Sequence, residues 1–235
     1  MNSNKLQIVI ARYNEPTEIE GWSWIEYLLD KNYKCFLYSK STSGINDKIK
    51  NHKNSEIEIL ENKGREAGTY LYYIIMNYDR LPEYTLFLQG NPFEHWIETF
   101  EQINDQQHNP RAWKIFFENL DQLSLNGEFT PLNCRFIHDR AGPMKQSSWH
   151  PGYRTTYHRN TKRYHDAFKE LFEEEMPRTI EFTQGAQFIV SREAIQFREK
   201  KFYEKAHELV NHSIKPLEAY IYERIWGIIF NCKTI

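Results

Sequence analysis

Polar residues that could bind a ligand cluster first at Asn62–Glu66 (NKGRE), where an apolar run gives way to a helical pattern. Free backbone N–H groups and the positive end of the helix dipole make such a place suited to an anion, and Lys63 and Arg65 add charge. The segment fits neither the P-loop pattern nor the dinucleotide-binding glycine pattern. The alternative is an ordinary helix start with Glu66 near the dipole.

A second motif, QGNPFEH, runs from Gln89 to His95 after another apolar run. Ligands of open α/β sheets bind at the carboxyl ends of strands, so Gln89 and Asn91 are candidate ligand-binding side chains. Gly90 permits close approach of the backbone. Glu94 and His95 could hold a metal, but no third ligand is evident in the sequence. A turn that caps a helix is the alternative.

The third candidate combines a TQGAQ segment that opens a strand with a YERIW segment inside an apolar helix. Gln184, Gln187 and Arg224 are its candidate ligand-binding residues. Glu223 is expected to be at least partly desolvated, a condition that suits a general base near neutral pH. The alternative is a structural ion pair between Glu223 and an arginine.

A basic stretch from Arg135 to His165 contains seven Lys or Arg residues and a single acid. It would suit an anionic ligand, and the aromatic neighbours of His150 could present a ring for stacking. A solvated charged surface is the alternative. The sequence lacks the nucleophile motifs of serine and cysteine hydrolases and of zinc proteases, so covalent hydrolysis is the weaker interpretation for an enzyme.

Alternating strand and helix patterns position these motifs and predict an α/β fold with a mostly parallel sheet covered by helices on both faces. We interpret the whole chain, residues 1–235, as one such domain. The predicted strands are Leu6–Ala11, Cys35–Tyr38, Ile57–Leu60, Thr85–Leu88 and Gly185–Ser191. The predicted helices cover residues 22–29, Gly64–Asp79, Phe93–Ile103, Arg192–Phe202 and Pro216–Phe230. We expect residues 104–163 to form long loops with short elements.

Composition limits the classes of protein that remain. Hydrophobic residues make up 40% and charged residues 26%, which is typical of a globular protein, and the net charge of −2 does not favour nucleic acid. The three cysteines, Cys35, Cys134 and Cys232, form no CxxC pair, so they predict a reducing compartment rather than a disulfide framework or a zinc site. Without room for a signal peptide or an apolar run long enough to span a bilayer, we expect a soluble cytoplasmic protein.

Several segments of the chain, in fixed order, resemble an uncharacterised family of mainly fungal and some bacterial or viral proteins, carried as a domain of unknown function. The resemblance spans nearly the whole chain and implies no particular activity. The segments that carry it are Ala11–Glu15, Asn62–Glu66 with Thr69–Leu71, Asn77–Asp79 with Leu81-Pro82, Phe87–Pro92, Gly185–Ser191 and Glu223–Gly227.

The layout is also similar to the GT-A fold of nucleotide-sugar glycosyltransferases. Those proteins begin with a strand and a polar turn like Arg12–Glu15, and they end with a strand and an acidic helix like Gly185–Arg192 and Glu223–Trp226. Their metal-binding Asp-x-Asp is missing, because this sequence has Gln89-Gly90-Asn91 in that place. A divalent metal cofactor is therefore not predicted. Either basic residues neutralise the diphosphate instead, or the reaction is not of this class.

The similarity to the GT-A fold implies a glycosyltransferase that moves a sugar from a nucleotide-sugar donor to a glycan or another hydroxyl acceptor. In such an enzyme, the nucleotide would be held by Arg12, Asn14 and Glu15. The phosphates would contact Lys63 and Arg65. The sugar site would be lined by Gln89, Gly90 and His95. Glu223 would deprotonate the acceptor if the mechanism inverts. Two alternatives stay open: a non-catalytic carbohydrate- or anion-binding module, and a metal-assisted hydrolase that uses Glu94, His95 and a histidine of residues 138–165.

Overall fold

The computed structural model describes residues 5–18, 22–95, 110–120, 128–132, 136–140, 157–177, 179–183 and 185–231. Their strands are β1 (Leu6–Arg12), β2 (Lys34–Ser39), β3 (Ser55–Ile59), β4 (Tyr84–Gln89), β5 (Phe129–Pro131), β6 (Phe136–Arg140), β7 (Thr179–Thr183) and β8 (Phe188–Ser191). Their helices are α1 (Trp24–Asp30), α2 (Asp47–Asn51), α3 (Arg65–Asn77), α4 (Pro110–Glu118), α5 (Tyr157–Phe172), α6 (Arg192–Gln196), α7 (Lys200–Val210) and α8 (Glu218–Ile229). Short 3-10 turns cover Tyr78–Arg80 and Pro92–His95.

Six strands form one mixed sheet in the order β3-β2-β1-β4-β8-β5. The first four strands in sequence are parallel to one another, whereas β8 runs antiparallel to both β4 and β5. A separate antiparallel pair, β6 and β7, packs against α8 through β7. The sheet is therefore mostly parallel with an antiparallel edge.

Strand β1 is apolar on both faces because helices cover both sides of the sheet. Val9 points into a core with Tyr70 of α3 and Trp226 of α8. Ile8 and Ile10 point the other way, into a core with Trp24 of α1 and with residues of α2 and α4. The alternation of side chains along each strand thus divides one sheet between two hydrophobic layers.

The five predicted strands and the predicted helices α1, α3 and α8 are present in the structure. Their first and last residues differ from the predicted ones by at most three positions. Outside residues 104–163, three described features were not predicted: α2, the part of α5 that follows Arg163, and β7. The predicted helix Arg192–Phe202 is instead two helices, α6 and α7. The side chain of Ser191 caps the first by accepting the N–H of Ala194 at 3.1 Å, and residues 197–199 separate the two.

The long loops predicted between residues 104 and 163 fall largely outside the described residues, but short elements occur as predicted in the described part of that region. It contains α4, β5, β6 and the beginning of α5. Helix α5 buries Tyr164, Phe168 and Leu171, which have helical spacing. Many basic and histidine residues at its start obscure that pattern in the sequence. Of the predicted helix Phe93–Ile103, the structure describes the part up to residue 95, as a 3-10 turn, and the rest lies outside the described residues.

Within the described ranges, no helix has both the length and the apolar character needed to cross a membrane.

Candidate ligand-binding cavity

A cavity of about 590 Å³ lies beyond the carboxyl ends of β1, β2 and β4 and beside the start of α3. The strand order reverses between β1 and β4, because β2 and β3 extend the sheet on one side of β1 and β4 lies on the other. Ligands of open α/β sheets bind at such reversal points. The strand ends supply Ala11, Arg12, Tyr13, Glu15, Lys40, Gln89, Gly90 and Asn91. The remaining lining residues are Asn62, Arg65, Glu66, Thr69, Ile214 and Lys215.

The side chain of Arg12 organises the turn after β1. Its Nε donates to the carbonyl of Glu15 at 2.7 Å, and its Nη1 donates to Ser39 Oγ at 3.1 Å and to the carbonyl of Tyr13 at 3.4 Å. Only 2% of the residue is exposed. The guanidinium group therefore ties the turn to the end of β2, and much of its donor capacity serves the protein itself.

The carboxylate of Glu15 joins the turns that follow β1 and β4. Its Oε2 accepts the N–H of Tyr13 at 2.7 Å. A Cβ atom at Gly90 would lie 2.5 Å from the same oxygen and 3.0 Å from Arg12 Cα. Glycine is needed at this position because a side chain would displace the carboxylate.

Helix α3 begins in an unusual backbone conformation. Gly64 and Arg65 have φ values of +69° and +50°, and the second of these is uncommon for a residue with a side chain. The ammonium group of Lys40 donates to the carbonyls of Lys63 and Arg65, while the N–H of Gly64 donates to Ser213 O at 2.9 Å. A half-buried cation and a distant loop therefore hold this turn in place.

The environment of the cavity shifts two titratable groups. Burial lowers the pKa of Lys40 to about 8; the Glu66 carboxylate opposes this shift and the charge of Arg65 adds to it. Burial also raises the pKa of Glu66. A hydrogen bond from its own backbone and the charges of Arg65 and Lys40 oppose this shift, and the nearby carboxylate of Glu223 adds to it. The cavity therefore contains a lysine and a glutamate that are closer to their neutral forms than free side chains would be.

Glu223 lies next to this cavity without lining it. Its Oε1 accepts the N–H of Gly185 at 2.8 Å, and its Oε2 lies 4.0 Å from Arg224 Nη1. Nη1 of Arg224 itself donates to Tyr220 O at 2.7 Å, and the guanidinium group lies 4.9 Å from the centre of the Phe182 ring. The side chain of Glu223 is 23% exposed, so it is partly desolvated as expected from the sequence.

Gln187 is 5% exposed, and its Nε2 donates to the carbonyl of Pro92 at 3.0 Å. This bond attaches the start of β8 to the turn that follows β4. Gln187 therefore helps to fix the position of the QGNPFEH turn.

Most residues predicted from the strand-end and helix-start motifs come together in the cavity: Arg12, Glu15, Arg65, Glu66, Gln89, Gly90 and Asn91. The described residues that were predicted but do not line it are Asn14, Lys63, Gln187, Glu223 and Arg224. Lys63 instead forms an ion pair with Glu61 at 2.9 Å. His150, Gln184 and the side chains of Glu94 and His95 lie outside what the structure describes.

Sequence reasoning missed Lys40, Thr69, Ile214 and Lys215 as lining residues. Lys40 directly follows β2, so the rule that ligands gather at strand ends could have found it. Ile214 and Lys215 come from the loop between α7 and α8, and no local motif connects that loop with the first strands.

Among the described residues, no group of three histidine, cysteine, aspartate or glutamate side chains is placed to hold a metal ion. Fold and cavity together define a mixed α/β protein with a polar, charge-bearing cavity at the reversal point of its sheet.

The chain belongs to the family described as Protein of unknown function (DUF3431), which it matches over residues 8–235. This result confirms the predicted membership of a family without an assigned activity. Neither the search of curated proteins nor the search of solved structures found a match.

Proposed function

We propose that this protein is a glycosyltransferase that moves a sugar from a nucleotide-sugar donor to a glycan or another hydroxyl acceptor. The observation that carries the proposal is the charge around the cavity. Arg12, Lys40, Arg65 and Lys215 border it, against the two carboxylates of Glu15 and Glu66. An excess of cations suits a diphosphate, which is the leaving group of a nucleotide-sugar donor.

The size and the polar lining of the cavity support the same class of ligand. Its volume of about 590 Å³ falls within the range of small-molecule sites. The side chains of Asn62 and Gln89 bring amide donors and acceptors to the lining, and sugar hydroxyl groups need both.

In the proposed reaction the acceptor oxygen bonds to the anomeric carbon of the sugar, and the bond from that carbon to the diphosphate oxygen breaks. The acceptor proton passes to a carboxylate, and the electron pair of the broken bond leaves with the diphosphate. Cations at the cavity stabilise the negative charge that develops there. We assign the role of proton acceptor to Glu223, which is partly exposed and lies close to the lining residue Glu66.

A thermal-shift panel of nucleotide sugars and free nucleoside diphosphates, each with and without Mn²⁺, tests the binding step first. A ligand at one hundred times its dissociation constant adds about 2.7 kcal/mol, which is readily visible as a higher melting temperature. A shift that is specific for one nucleotide supports the proposal and identifies the base. The absence of any shift contradicts it.

Release of nucleoside diphosphate in the presence of glycan acceptors then tests turnover. Glu223→Gln should abolish release while leaving donor binding intact, and Glu204→Gln on the exposed side of α7 is the matched control. Binding without release, with any acceptor, would instead identify a non-catalytic binding module. Full activity of Glu223→Gln would remove this residue from the role of base.

A further inference from the structure

The loop between α7 and α8, residues 211–217, forms one wall of the cavity through Ile214 and Lys215. The Lys215 side chain is exposed. In the part of the chain that the structure describes, its ammonium group forms no ion pair or hydrogen bond. It is thus a cation at the cavity whose donors are available to a ligand.

The other three cations of the lining already contact the protein, at least in part. Arg12 holds the turn after β1, and Lys40 holds the start of α3. The guanidinium group of Arg65 lies 4.8 Å from the centre of the Tyr220 ring, and its Nε lies 4.0 Å from Glu66. Arg65 therefore keeps part of its donor capacity, and the buried Nη2 of Arg12 has no hydrogen-bond partner among the described residues. Lys215 is the cation that is both exposed and keeps all of its donors.

Contacts with α3 fix the loop in position. The carbonyl of Ser213 accepts the N–H of Gly64 at 2.9 Å. The Asn211 side chain packs so closely on α3 that a Cβ atom at Gly68 would lie 3.2 Å from Asn211 Oδ1. The loop is therefore built onto the same helix start that borders the cavity.

Glu218 anchors the other end of the loop. The residue is 2% exposed, and both of its carboxylate oxygens have partners. Oε1 accepts from Arg163 Nε of α5 at 2.6 Å, and Oε2 lies 3.0 Å from Nε2 of His212, inside the loop. A buried carboxylate thus joins the loop to α5 and to the first turn of α8.

We propose that Lys215 binds the diphosphate of the ligand directly and that Glu218 is a positioning residue that holds the loop, and with it Lys215, at the cavity. This inference rests on the proposed function, because it assumes that a diphosphate occupies the cavity. It assigns the contact to a residue far in sequence from the strand-end motifs. A lysine ammonium suits the role because it meets phosphate oxygens as a point charge.

Titration calorimetry with inorganic pyrophosphate tests the assignment of Lys215. Lys215→Ala should weaken binding about ten-fold or more, because it removes a charge-assisted hydrogen bond to the phosphate. Lys201→Ala, on α7 and outside the cavity lining, is the control and should bind like the wild type. Arg65→Ala tests separately whether pyrophosphate binds in the cavity.

The outcomes separate the two proposals. If Arg65→Ala weakens binding and Lys215→Ala does not, the cavity binds a diphosphate and the assignment of Lys215 is wrong. If the wild-type protein does not bind pyrophosphate, the assignment and the proposed function both fail.

A double-mutant cycle tests Glu218, at a temperature where every variant is folded. As a single substitution, Glu218→Gln should weaken pyrophosphate binding. In the Lys215→Ala background it should cause little further loss of affinity, because both changes remove the same contact. In the Arg65→Ala background its effect should add in full. A general structural defect would instead lower affinity equally in both backgrounds, and that result would overturn the positioning role.

Discussion

The carboxylate of Glu15 lies so close to Gly90 that a Cβ atom there would come within 2.5 Å of its Oε2. These two residues lie in the turns that follow neighbouring parallel strands, β1 and β4, between which the strand order of the sheet reverses. Their close approach joins two turns that the sequence presents as separate motifs. It therefore fixes one side of the cavity.

Gly90→Ala should lower the free energy of unfolding by about 1–3 kcal/mol, because the added methyl group must displace the Glu15 carboxylate or the backbone at Arg12. Urea unfolding measures this change. Gly227→Ala in α8 is the control: its nearest neighbour would be Phe129 Cε1 at 3.9 Å, so stability should stay equal or rise. Equal stability of Gly90→Ala and the wild type would show that the turn accommodates the methyl group without cost, and it would contradict this prediction.

Arg12→Lys should destabilise the protein by more than about 2 kcal/mol despite conserving the charge. A single ammonium group cannot reproduce the bonds that the buried guanidinium fork makes to Glu15, Tyr13 and Ser39. Thermal unfolding provides the measurement, with the exposed Arg80→Lys as the comparison variant. Similar melting temperatures for the two variants would argue against a structural role for Arg12.

Lys40→Met should change how stability depends on alkaline pH. The folded pKa of Lys40, about 8, lies below its ordinary value of 10.5, so the unfolded chain binds more protons between these values. Stability contributed by this residue must therefore rise as the pH increases from about 8 to 10.5. The stability difference between wild type and Lys40→Met, measured by urea unfolding across this range, should grow in favour of the wild type. A difference that is independent of pH would contradict the shift.

Glu218→Gln should destabilise the protein by about 1.5–3 kcal/mol at neutral pH, because it removes a buried charge with two partners. Hydrogen bonds to its backbone, to His212 and to Arg163 outweigh burial and lower the pKa of Glu218 below its ordinary 4.5. Its stabilising effect is thus complete above pH 4.5 and is lost as the pH falls through the folded pKa. Unfolding experiments from pH 7 to pH 3 should show the two proteins converging, whereas Glu204→Gln should follow the wild type throughout.

The sequence by itself determined the parallel half of the sheet and one side of the cavity. Continuous apolar runs such as Leu6–Ala11 form strands because burial on both faces leaves no polar alternation. Polar residues at their ends, among them Arg12 and Gln89, then meet because parallel strands end at the same edge. These features follow from patterns within a few residues of one another.

Tertiary structure alone decided the antiparallel edge formed by β8 and β5, the bond from Arg12 to Ser39, the bonds of Lys40, and the position of Lys215 at the cavity. Each depends on contacts between residues that are far apart in the chain, such as the bond between Gly64 and Ser213. Periodicity and motif spacing describe neighbours along the chain. They cannot specify which distant loop will pack on a helix start, because that choice depends on the shape of the whole core.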